Sequence, residues 1–261
     1  MFLRLIIISL LVALTSVQTT GQYYDVSWKK DIAPITLGVG LLTLGGIVQS
    51  NAEGASLEDI RSLRKDDLFF LDRGATDNNS STAQKLSDVV LYSAIAYPFV
   101  TFVSSKCRAN TKAILVMTAE VAFLTGGVTS IFKGAVGRYR PFNYNPEIEE
   151  SIKLSSESRK SFISGHTSSV AALTFLTARI ITDLHPDIKN KGLIWFGAIA
   201  TPAVLGYLRV RAGRHFPTDV MAGYAVGAAI GYFIPQLHLV KNENVKISTV
   251  GITGINLSLN F

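Results

Sequence analysis

The sequence is short of cysteine, of histidine and of charge, and each shortage removes a class of protein. A single cysteine, Cys107, in 261 residues cannot close an internal disulfide. With only four histidines beside it, no zinc-ligand spacing of the Cys-x-x-Cys kind is present. A disulfide scaffold and a structural zinc site are therefore excluded at this level, and no metal or cofactor is called for. Charged residues make up 17% of the chain against 48% hydrophobic, too apolar for disorder and too charge-poor for an average soluble domain. The net charge of +6 does not point to nucleic acid, because lysines and arginines are scattered between long uncharged stretches and form no continuous basic helix. A membrane or densely helical protein remains, with room for one basic site that takes a small anion.

What is present begins with Arg4, an unbroken apolar run over residues 5–14, and the small polar residues Thr15, Ser16, Thr19, Thr20 and Gly21. This has the form of a secretory leader cleaved near Gly21; the competing reading is an uncleaved span, since no charge falls between Leu5 and Tyr24. Beyond Asp31 apolar stretches alternate with polar connectors, at residues 32–52, 89–105, 113–132, 167–182, 192–208 and 220–237. Each is about long enough to cross a bilayer, which takes roughly 17 to 25 residues. Glu120 and Arg179, charged within these stretches, are expected to face the bundle interior or to reach from a helix end. Gly223, Gly227 and Gly231 share one helical face, a spacing that brings a neighbouring helix to backbone distance. After Lys241 the period changes to strict alternation over residues 246–252 and 255–261 around Thr253 and Gly254, which predicts a small C-terminal β-hairpin. The expected fold is an all-α, membrane-embedded multi-helix bundle. Its divisions are a leader (1–21), an N-terminal helix and polar connector (22–88), a helical domain (89–238) and a tail (239–261).

Against this nearly uncharged background three clusters of cations and histidines stand at the ends of apolar stretches. The first holds Lys133, Arg138, Arg140 and Pro141; the second Ser161, Ser164, Gly165 and His166; the third Arg209, Arg211, Arg214, His215, Pro217 and Asp219. Lys133, Arg140 and Arg209 gathered at one site would neutralise a dianion such as phosphate, the guanidinium forks gripping two oxygens each. Ser164 and Gly165 precede an apolar run, so their amides lie at a helix N-terminus, where an anion is favoured. His215 and Asp219 are four apart, so the carboxylate can reach back to one imidazole nitrogen and leave the other free to attack. His166 then has the complementary task of giving a proton to the leaving oxygen. Arg211 and Arg214 are read as charges flanking the membrane rather than as pocket residues. The bland readings are a first-turn acid for Asp219, an N-cap for Ser164 and interfacial charges for Lys133, Arg138 and Arg140.

Order and spacing together decide between these readings. The sequence resembles the type 2 phosphatidic acid phosphatase family, whose superfamily includes bacterial class A acid phosphatases and vanadium haloperoxidases. The family pattern is Lys, six residues, Arg-Pro; then Pro-Ser-Gly-His; then Ser-Arg, five residues, His, three residues, Asp. Lys133, Arg140 and Pro141 match the first part, Ser164, Gly165 and His166 the second, and Arg209, His215 and Asp219 the third. Ile163 stands where the family has the proline, and Leu208 where it has the serine before the third-motif arginine. The resemblance covers residues 89–237 and implies a helical catalytic domain in which Lys133, Arg140, Arg209, Ser164 and the Gly165 amide bind the phosphoryl oxygens. It implies further that His215 attacks phosphorus to give a phosphohistidine, Asp219 orients it, His166 protonates the leaving group, and no metal takes part.

The expected function is hydrolysis of a phosphate ester or diphosphate, with a phosphorylated lipid as substrate, at a membrane and without nucleic acid. The alternatives are a soluble periplasmic acid phosphatase for small phosphate esters, a vanadium-dependent haloperoxidase, and a non-catalytic anion-binding membrane protein. Connectors 106–112 and 185–191 carry Lys106, Arg108, Lys112, Lys189 and Lys191, which favours the cytoplasm for that side and the periplasm or exterior for the motifs. A cleaved leader fits this orientation if residues 32–52, interrupted by polar residues and by glycines read as helix breaks, form a peripheral or re-entrant helix that stops short of crossing.

Overall fold

Long uncharged stretches in apolar surroundings can satisfy their backbone only as helices, and this chain folds accordingly. The computed structural model describes residues 23–52, 54–240, 245–250 and 254–259; the leader expected over residues 1–21 lies outside them. In chain order the helices are α1 (Trp28–Ser50), α2 (Leu57–Ser62), α3 (Ser81–Ile95), α4 (Tyr97–Val100), α5 (Ser105–Ala109), α6 (Thr111–Val136), α7 (Glu150–Lys153), α8 (Gly165–Leu184), α9 (Lys191–Arg211) and α10 (Pro217–Leu237). Strands β1 (Val245–Val250) and β2 (Gly254–Leu259) follow and pair antiparallel, Val245 opposite Leu259. This is the hairpin that the alternating pattern predicts.

Six long elements, α1, α3 continued by α4, α6, α8, α9 and α10, run alternately up and down between two poles. Small residues set their spacing. A Cβ on Gly227 would lie 2.0 Å from the carbonyl oxygen of Ser168, and one on Gly231 2.1 Å from that of Ala172. The backbones of α10 and α8 therefore touch, as the four-residue glycine spacing predicts. Helix α1 runs parallel to α6 on the same principle, with Gly38 against Phe123 and Gly45 against Ser130. The centre of the bundle is α8, whose Val170, Ala171, Ala172 and Leu176 are at most 1% exposed. Toward the pole opposite the three motifs, Ala172, Leu176, Ile180 and Leu184 pack with Ile114, Met117, Val121 and Tyr24 in the main hydrophobic core.

Among the described residues, four helical segments are long and apolar enough to cross a membrane: α1, α6 with its continuation to Tyr144, α9 and α10. A fifth is added if α3 and the segment that follows it, bent by 42°, count as one span. Their outer faces expose Leu37, Leu44 and Ile47 on α1, Phe196, Ile199 and Val204 on α9, and Met221 and Phe233 on α10. Such a continuous apolar belt is stable against lipid and costly against water, so the bundle is membrane-embedded and not the soluble form. Helix α8 lies outside this set because His166, Arg179, Asp183 and its serines and threonines make it less apolar, and its neighbours cover most of it.

Residues 32–52, expected as a peripheral or re-entrant helix, fall largely within α1, which is long and apolar enough to cross. Helix α1 is one continuous 23-residue helix, and its buried face includes Gly38 and Gly45. These glycines, which looked like breaks in the sequence, are contact points with α6. The start of α1 also shares a pole with connectors 106–112 and 185–191: the Tyr23 amide donates to Asn110 Oδ1 at 3.0 Å and the Tyr24 hydroxyl to Asp183 at 3.0 Å. A chain end exported at Gly21 would carry that pole outward and the motif pole inward.

Candidate active site

The motif pole is built where α6 and α9 end and where α3, α8 and α10 begin. Helix α6 stops just after Lys133 because Gly137 takes φ 57°, a left-handed cap that turns the chain into Arg138 and Arg140. Helix α10 starts on Pro217, with Asp219 in its first turn accepting from the Phe216 amide at 2.9 Å. These two local signals deliver the first and third clusters to one place. A cavity of about 220 Å³ results, lined by Gln84, Asp88, Lys133, Arg140, Glu157, His166, Arg209, Arg214 and His215.

Its electrostatics favour an anion. Four cations, Lys133, Arg140, Arg209 and Arg214, face two carboxylates, Asp88 and Glu157. Arg140 is 4% exposed, and the protein itself holds its fork. Its Nε donates to the Glu157 carbonyl at 2.8 Å, Nη2 to Glu157 Oε2 at 2.9 Å and Nη1 to the Arg214 carbonyl at 3.0 Å. Arg209 is anchored by Nη1 to Ser87 Oγ at 3.2 Å, while its buried Nε–H has no acceptor. A buried guanidinium N–H without an acceptor is costly, and an anion's oxygen removes that cost. Burial works against ionisation of Glu157, but Arg140, Lys160 and Lys133 outweigh it and hold its carboxyl below the ordinary glutamate range.

His215 is 1% exposed and lies within this field. Its Nδ1 sits 2.8 Å from the Ser161 carbonyl, which can only accept, so Nδ1 carries the proton and Nε2 is the unprotonated nitrogen. Arg140 Nη1 stands 3.4 Å from Nε2. Complete burial, followed by the charges of Arg140, Arg209 and Lys133, drives the imidazole well below the ordinary histidine range, so it stays neutral. The reach of Asp219 differs from what the spacing suggests, for its Oδ2 lies 3.7 Å from Nδ1, beyond a hydrogen bond. The carboxylate instead accepts from Arg138, from the Ser161 hydroxyl and from the Phe216 amide. It thus fixes the segment that presents the Ser161 carbonyl, and through it the tautomer of His215.

His166, in the first turn of α8, has Nε2 3.0 Å from Asp88 Oδ1, and Arg209 Nη1 lies 3.6 Å from the same oxygen. Ser164 is turned inward, its hydroxyl 2.9 Å from Thr167 Oγ1 and its amide donating to the Asp219 carbonyl at 3.0 Å. Gly165 opens on an adjoining cavity of about 310 Å³ that it shares with Lys133, His166 and the apolar Leu42 and Leu91. Ile163 and Leu208 supply packing alone; Ile163 is 1% exposed.

Several residues of the site are not apparent from the three clusters. Asp88, Gln84 and Glu157 line the cavity. Asp72, wholly buried, takes Arg138 Nη2 at 2.6 Å and the Thr218 hydroxyl at 2.7 Å, tying the polar connector to the site. Arg138 is therefore a half-buried bridge between the buried carboxylates of Asp72 and Asp219 rather than an interfacial charge. Arg214 is corrected as well: instead of flanking the membrane it lines the cavity, with Nη2 2.8 Å from Gln84 Oε1. Arg211 does remain exposed, paired with Asn78 at 3.2 Å.

A neutral buried histidine and a cation-rich cavity at one pole of an apolar helical bundle define a membrane-embedded anion site of the histidine type. The chain belongs to the PAP2 superfamily, whose family model matches residues 111–243. It is 31% identical over 136 residues to the lipid A 4'-phosphatase of Porphyromonas gingivalis, covering 47% of this chain and 54% of that one. It is 27% identical over 128 residues to the bacitracin transport permease protein BcrC of Bacillus licheniformis, covering 49% and 57%. The chain thus spans about half the length of these curated relatives. A crystal structure of a transmembrane PAP2-type phosphatidylglycerolphosphate phosphatase from Bacillus subtilis superposes with a TM-score of 0.48 at 20% identity, covering 77% of this chain and 93% of that one.

Proposed function

We propose that this protein is a metal-independent phosphatase that removes phosphate from a lipid phosphate ester or diphosphate through a phosphohistidine. The observation that carries the reading is the neutral, fully buried His215, its Nδ1 proton held by Ser161 and its Nε2 beside Arg140. Lys133, Arg140 and Arg209 take the phosphoryl oxygens, with the Gly165 amide at the start of α8 supporting the anion. Ser164, expected as a phosphate ligand, is turned onto Thr167 and Asp219 and holds the turn before α8. The Nε2 lone pair forms the N–P bond while the P–O bond to the leaving group breaks. His166, paired with Asp88 and lowered by burial and the charge of Arg209 to a pKa of about 4, takes up a proton once the phosphate dianion offsets those cations, and gives it to the departing oxygen. Water then forms a new P–O bond as the P–N bond breaks, His166 takes the water's proton, and phosphate is released. Asp219 and Arg138 are positioning residues.

A lipid is favoured over a small soluble ester because Lys133 and His166 also line the cavity bounded by Leu42 and Leu91, and so join the cation site to apolar helix surfaces. A third cavity of about 480 Å³, between the end of α1 and the loop with Ser155, Ser156, Arg159 and Lys160, also reaches Lys133 and suits the polar part of the leaving group. We place the pocket on the periplasmic or exterior side, since Lys29 and Lys30 at the start of α1 join the connector cations at the opposite pole. Phosphate release would be measured from detergent-solubilised protein over phosphatidate, phosphatidylglycerol phosphate, a polyprenyl diphosphate and soluble esters, with EDTA present, well below the melting temperature. Turnover confined to lipid substrates and insensitive to EDTA is expected; turnover of soluble esters alone would replace the lipid reading.

A further inference from the structure

Toward the other pole a second cluster of ionisable groups lies inside the bundle, where the phosphatase reading has no use for it. Asp31 of α1, Glu120 of α6 and His238, just beyond α10, are 3%, 0% and 2% exposed. One ligand atom from each lies within 4.8 Å of the others. His238 Nε2 is 2.7 Å from Glu120 Oε2, and Nδ1 is 3.6 Å from Asp31 Oδ1. Both oxygens of Asp31 and Oε1 of Glu120 are buried without a hydrogen-bond partner.

Bare carboxylate oxygens inside an apolar bundle are expensive unless a cation meets them. A protonated imidazole supplies one positive charge for two carboxylates and leaves three oxygens without partners. A divalent cation with a neutral imidazole balances the charge and occupies those oxygens. One imidazole nitrogen with two carboxylates is also a donor set for a first-row divalent ion, zinc foremost. The other ring nitrogen of His238 is held, as metal-bound histidines usually are, by a backbone carbonyl: Nδ1 lies 3.2 Å from the oxygen of Asp25.

We propose that Asp31, Glu120 and His238 bind one divalent transition-metal ion, with zinc the best match, and that this ion joins α1, α6 and the end of α10. The ion has no part in phosphoryl transfer. A short strap covers it, formed by the Asp25 amide on the His238 carbonyl at 2.7 Å and the Val240 amide on the Tyr23 carbonyl at 3.1 Å. The exclusion of a structural zinc site drawn from cysteine and histidine spacing does not reach this case, because the three ligands come from three distant segments.

The test uses the full chain, purified in detergent without a polyhistidine tag or chelator. Metal content is measured by mass spectrometry, and the protein is then stripped with EDTA and titrated with zinc chloride or manganese chloride alone while its melting temperature is followed. One equivalent of metal per chain is expected, with rebinding raising the melting temperature by on the order of 5 °C. Asp31→Asn and His238→Gln should each lose the bound equivalent, and stripping should leave phosphate release at 25 °C unchanged. Failure of the wild-type protein to bind either ion would overturn the proposal, and that titration decides even if a variant does not fold. It would also be overturned if Asp31→Asn melted at or above the wild-type temperature with no metal in either, since one carboxyl then carries a proton.

Discussion

At the pocket pole Lys133, Arg140, Arg209 and Arg214 face Asp88 and Glu157, while toward the far pole Asp31 and Glu120 face one histidine, His238. Both sites leave buried polar atoms without partners: Arg209 Nε at the first, three carboxylate oxygens at the second. The sign of the imbalance differs, so the first site favours an anion and the second a cation. The two histidines follow their surroundings. His215, among cations, is held neutral with Nε2 as a free base; His238, between carboxylates, points Nε2 at Glu120. Reactivity is placed where the field keeps a nitrogen lone pair available, and the other pole joins helices together.

The largest effect should separate these histidines. His215→Gln should lower phosphate release by roughly a thousandfold or more without loss of the folded bundle, whereas His238→Gln should leave kcat intact. Next, Arg140→Lys replaces a fork with a point charge and should cost about a hundredfold in kcat/KM. Asp219→Asn leaves Arg138 with Asp72 as its one carboxylate partner and should lower stability by about 2–3 kcal/mol in chemical denaturation. Because burial, and after it the charges of Arg140, Arg209 and Lys133, depress His215, the acid limb of its kcat/KM profile should lie below about pH 6.5. The unfolded chain binds this proton below that value while the folded chain does not, so His215 also subtracts stability as pH falls through that window, at up to about 1.4 kcal/mol per pH unit. Smallest, and without effect on the pocket, Gly227→Ala should cost about 1–3 kcal/mol by pushing α10 off the Ser168 carbonyl.

The helices and the motif residues were legible because both are local signals. Apolar stretches declare helices, and Lys133, Arg140, His166, Arg209 and His215 each sit at a helix end within a fixed spacing. Residues that act across the fold were not legible. Asp88 falls just before the apolar run that starts at Val89, yet α3 begins at Ser81, because its first two turns are polar and its Ser80 cap extends the helix backward. Gln84 and Asp88, one turn apart in that segment, are the signal that was available. Glu157 and Asp72 lie in connectors where acidic residues are ordinarily solvated, and only the tertiary fold brings them to Arg140 and Arg138. The glycines of α1 misled for the opposite reason, since composition alone does not separate a helix break from a helix contact.

The central claim is that His215 carries the phosphoryl group. Substrate labelled with radioactive phosphate would be mixed with enzyme and quenched in alkali within the first turnover. Label that approaches one per chain, stable in alkali, lost in acid, mapping to the peptide with His215 and absent from His215→Gln is the predicted result. A turning-over enzyme that gives no such adduct, or one whose label persists in His215→Gln, would contradict it.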